Sequence, residues 1–113
     1  MNRELALLIN IQNLELQLRD AEDPEKARQL AEMGMPLDPA KIRQTIEELL
    51  QQVDQRQRQY YLRLRERYDN PVVSVWEGHC TGCFANVPTG FDSASNRDKV
   101  KICETCGRIL FQP

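Results

Sequence analysis

The 113-residue chain is poor in aromatics, which make up 6% of it, and it holds one histidine. It has no apolar run approaching the roughly 18 residues that a membrane-spanning helix needs, so a transmembrane helix is excluded. One histidine, no phosphate-cradling glycine loop and no Ser/His/Asp or paired-carboxylate arrangement leave nothing from which to assemble a catalytic site, and the chain reads as a non-enzyme. Charge of one sign is missing as well. The 15 basic and 17 acidic residues give a net charge of -2, which is not a polycation built to coat nucleic acid. The opening Met1-Asn2-Arg3-Glu4 leads into a mixed polar and apolar stretch instead of a signal-peptide core. This points to the reducing cytoplasm.

What is present is unevenly distributed. All four cysteines follow residue 79, and Trp76 and the three phenylalanines also lie in the last third. Residues 1–38 carry 4 basic and 8 acidic groups, residues 39–71 carry 7 and 5, and residues 72–113 carry 4 and 4. The expected organisation is α+β: an N-terminal antiparallel helical, coiled-coil hairpin over 1–70, then a small β zinc ribbon over 71–113.

Leu7, Ile11, Leu14, Leu18 and Ala21 recur at alternating steps of four and three, which keeps them on one stripe of a helix over 3–21. Leu5, Leu8, Ile9 and Leu16 widen that stripe. Asp23-Pro24 has the form of an N-cap followed by proline at the first helical position. Either a kinked continuation or a break and a short helix from Pro24 to Met33 follows, ended by Gly34 and Pro36. A second long helix is expected from Asp38, with Pro39 at its first position and Leu37 and Ile42 forming a hydrophobic staple. Ile42, Ile46, Leu49 and Val53 form its seam. The seam then slips to Tyr61, Leu64 and Tyr68, which a four-residue stutter through Gln57 accommodates. Asn70-Pro71 stops the helix. Arg56, Arg58, Arg63, Arg65 and Arg67 crowd its end, among Tyr60, Tyr61 and Tyr68. Arginine beside tyrosine suits phosphate contact and base stacking, an acidic protein partner, or simply a solvated helix end. Arg56, Arg63 and Arg67 are the candidate partner-binding residues.

Cys80, Cys83, Cys103 and Cys106 spell C-x2-C-x19-C-x2-C. Two residues between cysteines let a tight knuckle aim both sulfurs at one ion, and two knuckles supply four tetrahedral ligands. These four cysteines are the candidate ligands of one structural zinc ion. Gly107 offers the positive φ that closes a knuckle, and Gly82 is expected to relieve the first one similarly. His79 is surplus to the four ligands. Strands are expected at 72–76, 99–102 and 108–111, with a loop over 86–96. Val75, Trp76, Phe84, Val87, Val100, Ile102, Leu110 and Phe111 offer a thin core, too small to hold the ribbon without metal. Chelation is therefore expected to unfold residues 72–113 and leave the hairpin helical.

The runs Tyr61-Leu62-Arg63-Leu64-Arg65-Glu66-Arg67, Val72-Val73-Ser74-Val75, Gly78-His79-Cys80-Thr81-Gly82-Cys83 and Ile102-Cys103-Glu104-Thr105-Cys106-Gly107-Arg108-Ile109-Leu110-Phe111 resemble the bacterial C4-type zinc-ribbon proteins with an N-terminal coiled-coil hairpin. The resemblance covers residues 60–113. It implies zinc on the four cysteines and a cytosolic adaptor or chaperone, of a kind tied to an alternative sigma factor and to flagellar or type III secretion export. A protein partner is implied, with nucleic-acid binding as the alternative. The family's coil is usually longer, and its Leu-Pro-Pro type stretch is Val87-Pro88-Thr89-Gly90 here.

Overall fold

The computed structural model describes residues 3–88 and 100–112. Helix α1 spans Arg3–Glu22, α2 Pro24–Glu32, α3 Pro39–Gln52 and α4 Gln55–Arg67. Strands β1 (Val72–Trp76), β2 (His79–Cys80), β3 (Lys101–Ile102) and β4 (Ile109–Phe111) follow.

Asp23 settles the first helix as a break. Its carboxylate accepts from the amides of Glu25 and Lys26, and Pro24 takes the first position of α2. Helix α3 starts as expected, with Asp38 accepting from the Lys41 amide. It packs on α1 in the opposite direction: Arg3 reaches Gln52 at one end, and Arg43 meets Glu22 at the other.

The continuous second helix expected over 38–69 is instead two. Val53 and Asp54 are extended, with ψ of 137° and 139°, and Asp54 caps α4 through the Arg56 amide. The Asp54 amide donates to Glu4 at 2.7 Å. The chain doubles back here, so that α4 runs alongside α1 in the same direction. Glu4 meets Asp54, Glu15 meets Tyr61 and Arg65, and Arg19 meets Asp69. The gap in the apolar pattern is thus a reversal and not a stutter. A buried Val53 followed by a capping aspartate lets Tyr61 and Leu64 return to the core that Ile46 and Leu50 already line.

The helical core holds Leu5, Leu8, Ile11, Ile42, Ile46 and Leu50 together with Tyr61 and Leu64. Leu14, Leu18 and Ala21 of the expected seam sit at its edge, and Leu16 is exposed. The sheet has the order β2-β1-β4-β3. Its two hairpins are joined by parallel pairing of β1 with β4, where Val72 faces Ile109 and Val73 faces Leu110. Alternation along the strands then divides the side chains. Val72 and Ile109 enter the helical core, whereas Val73, Val75 and Leu110 pack with Cys80 and Cys103 in a second cluster. Gln12 of α1 locks this junction by bonding both the N–H and the C=O of Val72.

Three residues expected in the ribbon core are on the surface. Trp76 is 68% exposed, Phe84 74% and Ile102 45%. Trp76 ends β1 at a turn whose Glu77 and Gly78 both have positive φ, and Phe84 leaves the first knuckle in a left-handed conformation. The strand expected over 99–102 is shorter, β3 covering only Lys101–Ile102. Val100 is half-buried outside it, and Lys99 lies outside the described residues. Of the expected loop over 86–96, Asn86 bridges to His79 and Val87 donates to Gly78, which extends the first hairpin. Its later part lies outside the described residues.

Candidate metal centre

Each knuckle is a tight turn at the end of a hairpin. In the second, the Gly107 amide donates to the Cys103 carbonyl at 2.9 Å, with Gly107 at φ 83°. The first repeats the bond, Phe84 to the Cys80 carbonyl at 2.7 Å, but Phe84 holds the left-handed position with φ 64°. The relief expected at Gly82 is therefore not where the positive φ falls. Gly82 matters for another reason: a Cβ there would come within 2.6 Å of the Arg108 side chain.

The turns bring the four sulfurs together. All lie within 4.8 Å of one another, with Cys80 Sγ to Cys106 Sγ at 3.8 Å and Cys83 Sγ to Cys103 Sγ at 3.7 Å. A tetrahedral ion with metal–sulfur bonds of about 2.3 Å requires sulfur–sulfur edges of about 3.8 Å. The four cysteines are thus placed to hold a metal ion.

Backbone amides serve the sulfurs too. Burial raises the Cys103 thiol, but the amides of Cys106 and Thr105 favour its thiolate and bring it to about 7. The Ala85 amide acts likewise on Cys83, yet burial and the neighbouring thiols push that group up to about 12. His79 is exposed, and its Nδ1 meets the Glu77 carbonyl at 2.9 Å, so it takes no part in the cluster.

Sequence reasoning missed the groups that hold the second knuckle. The Tyr60 hydroxyl donates to the Gly107 carbonyl, and the Tyr68 hydroxyl donates to the Cys106 carbonyl at 2.8 Å. Burial raises the Tyr60 hydroxyl above its ordinary value, which keeps it a donor. Arg108 lies 3.9 Å over the Tyr68 ring and donates to the Asn70 carbonyl and side chain. The same guanidinium covers Gly82, so one arginine joins the end of α4 to both knuckles. The available signal was the spacing of Tyr60 and Tyr68, which places one phenol on α4 and the other at its C-cap, about two turns on.

The candidate partner residues share α4 but not the cluster. Arg56, Arg63 and Arg67 are exposed, with Arg63 stacked 5.7 Å over Tyr60 and Arg67 5.3 Å over Tyr68.

No family model and no curated protein matches the chain. The solved structure of the HP0958 protein from Helicobacter pylori is similar, with a TM-score of 0.60 and 18% identity over 80% of this chain. That stretch is 38% of the HP0958 chain, so the likeness reaches well under half of it. At this identity the likeness is one of fold. It agrees with the helices-then-ribbon architecture expected from the sequence. Among the described residues, no helix is long and apolar enough to cross a membrane.

Proposed function

We propose that this protein is a non-enzymatic, cytoplasmic zinc-ribbon adaptor that binds a macromolecular partner. It would be of the kind that serves an alternative sigma factor or flagellar and type III export. The observation that carries the reading is the closed four-thiol cluster, tied by Tyr60, Tyr68 and Arg108 to a helix with an exposed arginine face.

Zinc suits the donor set. It favours four thiolates in tetrahedral geometry, and the two short sulfur–sulfur distances match the edges it needs. Four protein ligands leave no position for water or substrate, so the ion acts as a staple and not as a Lewis acid. Thiolate ligands require reduced cysteines, which a reducing compartment maintains.

Native mass spectrometry of protein purified without added metal tests the staple. One zinc per chain is expected. Metal-free protein with a folded ribbon would overturn it.

A further inference from the structure

The described arginines divide into two groups. Most meet a carboxylate, as Arg65 meets Glu15, or donate to an amide oxygen, as Arg58 does to Leu50. Arg56, Arg63 and Arg67 do neither: among the described residues no carboxylate pairs with them. These three are on one helix and one face. At about 100° per residue, steps of seven and four put them within roughly 40° of one another, and they span about 16 Å of axis. Two are held in place. Arg63 stacks on Tyr60 and Arg67 on Tyr68, and both phenols are bonded to the second knuckle.

We infer that this row is the docking surface for an acidic helix of a protein partner, with carboxylates at matching intervals along one face. The inference rests on the adaptor reading above and names its partner class. Charge complementarity carries it, since three cations without a paired carboxylate, two of them held on tyrosine rings, form a narrow stripe that accepts carboxylates in register. A nucleic-acid strand fits less well. The N-cap Asp54 and Glu66 of α4 flank the row, and the four-cysteine cluster, negatively charged when its thiolates hold zinc, lies beyond its tyrosine edge. A uniformly charged strand would meet those negative charges. Three phosphate contacts on a single strand would also give a salt slope of only about -2.1, a small electrostatic footprint.

The test is an NMR titration of the full, zinc-loaded chain with two synthetic helical peptides of identical composition. One carries glutamates at i, i+4 and i+11, to match the row antiparallel. The other carries them scattered around the helix. A short single-stranded oligonucleotide forms the third arm.

The matched peptide is expected to shift resonances of the Arg56, Arg63 and Arg67 face and to bind more tightly than the scattered one. Arg63→Glu with Arg67→Glu should weaken it by about tenfold or more, while Arg28→Glu, at an arginine already paired on α2, should not. Equal binding of the two peptides, no shift on this face, or tighter binding of the oligonucleotide would each overturn the inference. Metal content measured on the same samples separates the two readings. A chain without zinc fails the staple, whereas a zinc-loaded chain blind to the matched peptide fails the docking surface alone.

Discussion

Removing the metal should destabilise the helices as well as the ribbon. The sequence alone suggested that chelation would leave the helical part untouched, but the core crosses the point where the two halves meet. Val72 is 1% exposed and Ile109 fully buried, both among helical side chains that include Leu8, Ile11 and Tyr61. Burying such a side chain is worth about 1.5–3 kcal/mol, so the pair contributes about 3–6 kcal/mol. The two bonds from Gln12 to the Val72 backbone add about 1–3 kcal/mol. A domain is stable by only about 5–15 kcal/mol, so this junction is a large share of it. Thermal melts followed by far-ultraviolet circular dichroism, with and without chelator, should show the helical transition moving markedly lower. Hydrogen exchange at the amides of Cys103, Gly107 and Ile109 reports the ribbon in the same samples, since all three are bonded across the junction or within the knuckle. If chelator strips their protection while the helical melt stays where it was, the shared-core reasoning is wrong.

Other outcomes follow from single positions. Phe84→Gly should stabilise the chain by about 1 kcal/mol in denaturant melts, because it relieves a left-handed side chain while removing one that is 74% exposed. Asp54→Ala should cost about 1 kcal/mol through loss of the α4 cap. Gly82→Ala should displace Arg108 from Tyr68, visible as a change in tyrosine near-ultraviolet dichroism. Metal affinity should rise with pH, because the ion binds thiolates and must displace thiol protons. Below the Cys83 value of about 12, at least that proton is released on binding. Below the Cys103 value of about 7 that thiol's proton must be displaced as well, so the dependence should steepen on the acid side in competition titrations with a chromophoric chelator.

The four-cysteine cluster was the most legible feature, and for a local reason. Cysteine spacing within each pair specifies a knuckle, and knuckle geometry differs little from one protein to another. The capping signals at Asp23-Pro24 and Asp38-Pro39 were legible because they act over one turn. Asp54 carries the same kind of signal without a following proline, and the regular seam on either side hid it. The assignment of Trp76, Phe84 and Ile102 to the core failed because hydrophobicity states a preference for burial and not the presence of a neighbour to bury against.

The sequence by itself determined the helical period of α1, the capped start of α3, the strand at 72–76 and the two cysteine knuckles. All of these are decided by residues close in the chain. Only the tertiary structure decided that α4 doubles back along α1, that Val72 and Ile109 join the helical core, and that Tyr60, Tyr68 and Arg108 hold the knuckles. These contacts join residues far apart in sequence, where no spacing rule applies. They form because the apolar and hydrogen-bonding groups left over from local structure must satisfy one another when the layers meet.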